Sequence, residues 1–144
     1  MRIFAFEPTR EITRFDSHGA TIGGVARATG EVRVSLLNLE PGGVVGAHPA
    51  VGAQLFLVVS GFGWVRSGDD APRSLAAGEA ALWQDGEVHE SRTDEGLMAV
   101  IVEADSLEPL AKGERTGGTV PGTGALRTGP RRPRPRDCPP GVAR

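Results

Sequence analysis

Along most of this chain, apolar and polar residues alternate one for one in short bursts, and each burst stops at a turn. "EVRVSLLNL" (31–39) opens with charged and apolar residues taking turns, and "QLFLVVSG" (54–61), "GWVRS" (63–67), "AALW" (80–83), "VHESR" (88–92) and "LMAVIVE" (97–103) have the same strand character. A period of two sends successive side chains to opposite faces, as in half-buried strands. The separators are "PGG" (41–43), "SGDDAP" (67–72), "AAGE" (76–79), "DGE" (85–87) and "TDEG" (93–96), all rich in turn-forming residues. No stretch of ten or more residues before position 104 keeps a helical period, and 21 glycines and 11 prolines further disfavour long helices. Six or more short strands at this spacing predict an all-β antiparallel sandwich or barrel, and 144 residues suffice for one domain rather than two.

Composition narrows the function classes. The longest clean apolar run, "LFLVV" (55–59), falls far short of the roughly 18–20 residues that span a bilayer, so no membrane partner is expected. The first residues, "MRIFAFEPTREITRF", interrupt their apolar positions with charges, unlike a signal peptide. Cys138 is the sole cysteine and can build neither an intrachain disulfide nor a cysteine metal cage, which suits a reduced, cytoplasmic setting. Residues 1–104 carry eight basic against fourteen acidic side chains, a poor surface for phosphate backbones. Residues 105–144 reverse the balance, with eight basic and four acidic side chains. "DSLEPLAKGE" (105–114) is read as a short helical turn, and the Gly/Pro/Arg-rich remainder as a disordered tail with too little apolar surface to offset ordering entropy. Its "PRRPRPR" segment is either a plain solvated tail, a basic arm for nucleic acid or an acidic partner, or a proline-rich ligand; nucleic acid enters the expectations only there.

The spacing of a few residues is more specific than the strand pattern. Five residues separate Gly42 from His48; Ala50, Gln54 and Gly61 follow. Five separate Gly78 from Gln84, followed by Gly86, His89 and Thr93. This resembles the two sequence blocks of the cupin superfamily, G-x5-H-x-H-x3-4-E-x6-G and G-x5-P-x-G-x2-H-x3-N, over about residues 31–103. The resemblance implies a double-stranded β-helix, or jelly-roll, barrel over 1–104 with the motif residues facing inward, and it suggests a homodimer. "MRIFAF", an apolar strand without an obvious partner, suits the dimer contact. Strand alternation agrees with an inward-facing site: it groups Val44, Gly46 and His48 on one face, Gln54, Phe56 and Val58 on the next, and Glu87, His89, Ser91 and Thr93 on a third.

Relative to the family pattern, the four metal-ligand positions hold His48, Ala50, Gln54 and His89. One imidazole is gone and the carboxylate has become an amide, which offers an oxygen without charge and weakens the attraction for a dication. The expectation is therefore no cofactor, or a weakly held divalent transition metal (Fe, Mn, Ni or Zn) on His48, Gln54 and His89. Catalytic candidates are His48 and His89, because imidazoles titrate near neutrality. Ligand-binding candidates are Gln54, Phe56, Glu87, Trp64 and Trp83, the tryptophans reading first as barrel core and second as stacking platforms. Arg33 is an exposed strand position that reaches a ligand carboxylate only if its face is the inner one, and His18 is a loop residue. Three functions stay open: a metal-free or weakly metal-binding cupin that binds a small organic ligand, as an accessory or sensor protein or a histidine-dependent isomerase or cyclase; a metal-dependent oxygenase or isomerase; and an oligomeric regulatory module acting through its basic tail.

Overall fold

A computed structural model of the protein describes residues 1–111 and 113–115. Its elements, all strands, are β1 (Arg2–Ala5), β2 (Arg10–Glu11), β3 (Thr21–Ile22), β4 (Ala26–Thr29), β5 (Arg33–Leu39) and β6 (Val44–Pro49), then β7 (Ala53–Ser67), β8 (Arg73–Ala76), β9 (Glu79–Trp83), β10 (Val88–Arg92), β11 (Leu97–Ala104) and β12 (Ser106–Pro109). Two antiparallel sheets face each other as a jelly-roll. One runs β1-β9-β7-β11-β5 and the other β8-β7-β10-β6. Among the described residues no helix is long and apolar enough to cross a membrane.

The fifteen residues of β7 cover the two segments 54–61 and 63–67 and serve both sheets. Its first part pairs with β9 and β11, its second with β8 and β10. Gly61 stands between them at φ +81°, and a Cβ there would overlap the Gly96 carbonyl oxygen, so only glycine lets the strand turn so close to its neighbour.

Alternation fills two apolar layers. Ile3, Phe56, Val58, Val65, Leu75 and Trp83 pack between the sheets, with Leu39, Leu97 and Ala99. Phe4, Leu55, Leu82 and Ala80 point to the outer face of the first sheet, where Leu107 on β12 covers them. Side chains that leave water in this way contribute on the order of 1.5–3 kcal/mol each.

Three sequence expectations are corrected here. "MRIFAF" is not short of a partner: Arg2–Ala5 pairs with Leu82–Glu79 of β9, and Ile3 and Phe4 are both buried because the strand separates the two apolar layers. Residues 106–109, expected in a helical turn, form β12 against β4, because Leu107 is needed to cover the outer face. The folded part thus continues past residue 104: Glu114 bridges to Phe4 and the Arg115 amide donates to the Ile3 carbonyl at 2.7 Å. The Arg-rich segment of the expected tail lies outside the described residues.

The third correction concerns faces. The β10–β6 register shifts between His89↔His48 and Ser91↔Val45, which inserts one extra residue in β6. This bulge reverses the alternation, so Val45, not Val44, packs inward on the same side as His48, while Val44 is exposed. A second shift, between Met98↔Ser60 and Ala99↔Val58, makes Val59 the extra residue in β7. Inward positions change there from Gln54, Phe56 and Val58 to Gly63, Val65 and Ser67, which leaves Trp64 on the outer face.

Candidate functional site

The two histidines meet across the β10–β6 ladder as direct register partners. Their ring centroids lie 4.4 Å apart with the planes tilted by 55°. Each ring is fixed through Nδ1 by a backbone carbonyl two residues earlier: His48 to Gly46 at 2.7 Å and His89 to Glu87 at 3.2 Å. Carbonyl oxygens only accept, so both Nδ1 atoms carry hydrogen, and each ring in its neutral form presents a lone pair at Nε2. His48 is exposed, whereas His89 is buried and lies flat on Trp83, centroids 4.1 Å apart and planes within 21°. Phe56 meets Trp83 edge-on at 6.1 Å, which continues the aromatic stack into the core.

Burial is the main reason the His89 pKa lies below 6.5, and the neighbouring His48 adds to it; the Glu87 carbonyl and two carboxylates, Glu87 and Glu103, oppose the shift. Neutral imidazole is therefore the favoured form of His89 near neutral pH. Trp83 has no exposed surface, and its indole N–H finds no hydrogen-bond partner among the described residues. Stacking and packing alone hold it.

Gln54 is buried on the inner face of β7, directly beside Trp83 on β9. Ala50 occupies the position of the missing imidazole and is itself packed into the core. Glu87, a ligand-binding candidate from the sequence, is engaged elsewhere: it takes the Met1 ammonium, the Ser67 hydroxyl and, at 3.0 Å, the Gln84 amide. Burial works to raise its pKa, but these three partners outweigh it and the carboxyl titrates below its ordinary range. Trp64, read from the sequence first as barrel core and second as a platform for ligand, faces outward under the Arg92 guanidinium, 3.0 Å above the ring, because the Val59 bulge shifted the face of β7. His18 is an exposed loop residue.

Sequence reasoning overlooked Glu103. It is the register partner of Gln54 on one side and of Arg33 on the other, so Trp83, Gln54, Glu103 and Arg33 form one row across four strands. All four share the inward face, as shown by Ala81, Phe56 and Ile101 two residues along their strands and by Leu37 four residues along from Arg33. A charge ending the apolar run "LMAVIVE" was the available signal. Arg33 therefore does lie on the inner face, paired with Glu103 at 3.8 Å.

A resident transition metal is tested by this donor set. Two imidazoles and one uncharged amide lie on the inward faces of β6, β10 and β7, and among the described residues no three His, Cys, Asp or Glu side chains converge. Such a set does not fit a tightly held ion. None of five surface cavities, of 190 to 320 Å³, has His48, Gln54 or His89 in its wall; the 190 Å³ cavity adjoins the row through Arg33 and Glu103.

No protein-family model matches the sequence, and no curated protein matches it significantly. Solved structures do resemble the fold. A cupin-like protein from Thermotoga maritima has a TM-score of 0.50 and 23% identity over 56% of this chain, which spans 65% of that protein's length. A Klebsiella pneumoniae protein with a double-stranded β-helix domain is 25% identical over 67% of this chain and 89% of its own, TM-score 0.48. A cupin superfamily protein from Desulfitobacterium hafniense is 16% identical over 74% of this chain and 100% of its own, TM-score 0.49. The opposed sheets, the paired inward histidines and the likeness to the Thermotoga structure together establish that this chain has the cupin fold, a double-stranded β-helix.

Proposed function

We propose that the protein binds a small organic molecule at the barrel mouth through His48, His89 and Gln54, with no metal or at most a weakly held one. The observation that supports this most directly is the anchoring of both imidazoles through Nδ1, which leaves two Nε2 lone pairs side by side. A neutral pair of this kind accepts hydrogen bonds from a ligand hydroxyl or amine. It also takes up a proton at one ring while the other ring stays available, the property that isomerisation or cyclisation by proton transfer requires. Gln54, without charge, orients a ligand carbonyl or hydroxyl.

The test is a ligand screen by NMR on the full chain, followed by His48→Ala and His89→Ala. Genuine ligands are expected to weaken by about tenfold or more in either variant, the worth of one good hydrogen bond. Ligands that bind both variants as well as the parent protein would overturn the reading. Elemental analysis of untagged protein separates the metal-dependent alternative: about one equivalent of Fe, Mn, Ni or Zn would favour it, and less than about a tenth would dismiss it.

A further inference from the structure

The row Trp83–Gln54–Glu103–Arg33 gives the site an electrostatic sign. Among the inward-facing groups, His48 and His89 each offer an Nε2 acceptor when neutral, Gln54 an amide oxygen and Glu103 a carboxylate. Donors are scarce. The Gln54 amide supplies two hydrogens, the buried Trp83 indole one without a partner among the described residues, and the Arg33 guanidinium stands 73% exposed at the outer end of the row. The other nearby cation, the Met1 ammonium, is already taken up by Glu87. The adjoining cavity adds Glu31 and Asp105 to Glu103 against Arg33 alone.

We propose that the site takes a positively charged group, and that Glu103, one strand from Gln54 on the same inner row, is the carboxylate that receives it. This rests on the barrel mouth being a ligand site, as argued above. The position left neutral at Gln54 is thereby compensated from the next strand, since neighbouring residues across a ladder stand about 5 Å apart at Cβ. Arg33 holds Glu103 loosely: 3.8 Å is long for an ion pair, and an exposed guanidinium gives up such a contact at little cost. A cationic ligand competes with Arg33 for the carboxylate and places its remaining hydrogens against the two Nε2 atoms. Either an organic ammonium or a divalent metal ion supplies the required charge, and the geometry favours the ammonium, because no three ligating side chains converge among the described residues.

The experiment uses three matched probes, benzylammonium, benzyl alcohol and benzoate, titrated by NMR into the full-length protein, with nickel(II) alone as a fourth. Benzylammonium is expected to bind about tenfold more tightly than benzoate. Glu103→Gln, which keeps shape and removes charge, should abolish that preference. Arg33→Gln should strengthen benzylammonium binding about two- to fivefold by removing the competitor, an opposite sign that a merely structural role for the pair would not produce. Nickel binding that is lost in Glu103→Gln, with benzylammonium indifferent to it, would assign the cation as a metal. Preference for benzoate, indifference of every probe to Glu103→Gln, or binding by no probe would overturn the proposal. Probes that need His48 and His89 but ignore Glu103 would sink this inference alone and leave the ligand site standing.

Discussion

At the scale of single residues, His89 is the group whose chemistry the fold alters most clearly. It lies between Trp83 and His48, and burial lowers its pKa from 6.5. The folded chain then binds fewer protons than the unfolded chain in the interval between its lowered folded-state value and about 6.5. Stability from this group is full above that value and declines as pH falls through it, until the folded-state pKa has been passed. Glu87, held below its ordinary value of 4.5, acts in a separate window: its contribution is present above 4.5 and is lost as pH falls through its folded value. Urea titrations between about pH 5 and 8 are expected to show a loss of stability on acidification in the parent protein and a flatter profile in His89→Gln. Parallel profiles would show that burial of His89 is not the cause. The histidines themselves were legible because spacing to glycine turns survives in sequence. Glu103 was not, because its partnership with Gln54 is a matter of sheet register between residues far apart in the chain.

Among the elements, β7 carries the architecture, and alternation alone misreads it. The sequence shows two strands, 54–61 and 63–67, since Gly61 and Gly63 interrupt the apolar pattern. The structure keeps one strand and uses Gly61 to pass it from one sheet to the other. Gly61→Ala is expected to cost more than about 2 kcal/mol, from positive φ together with overlap on the Gly96 carbonyl. Gly86 supplies the control: φ is +76° there, but a Cβ would meet open space, so Gly86→Ala should cost only about 1 kcal/mol. Equal losses in urea denaturation would show that strain in φ, and not the close strand crossing, accounts for Gly61. Both bulges escaped the sequence reading for a related reason. An extra residue changes no composition; it changes only which hydrogen bonds are skipped. The one in β6 put Val45 instead of Val44 on the side of His48, while the one in β7 turned Trp64 away.

For the molecule as a whole, the open question of self-association is one of sheet edges. The edge at β1 is partly closed by the bridge from Phe4 to Glu114 and the hydrogen bond from Arg115 to Ile3, so the N-terminal strand is a poorer dimer contact than its sequence suggests. β8 has four residues and β6 is bulged, two features that discourage further pairing. β5 differs from these edges. Its seven residues pair in unbroken register with β11 on one side, and no strand among the described residues pairs on the other. Val34 and Leu36 on its outward face are 65% and 67% exposed, with no proline or lysine along the strand to deter addition. An antiparallel pair of β5 strands about a two-fold axis would satisfy both open edges with the same residues, the self-complementarity that a symmetric dimer demands. The protein is therefore expected to run as a dimer in light scattering coupled to size exclusion, and Leu36→Lys to shift it to monomer with the fold intact by circular dichroism. A monomeric parent protein, or a Leu36→Lys variant still dimeric, would remove β5 from the interface. The barrel mouth ties this edge to function, because Arg33 begins β5 and ends the row that contains Glu103. Pairing at β5 would then restrict Arg33, and the cation preference of the mouth should depend on protein concentration across the dimerisation range.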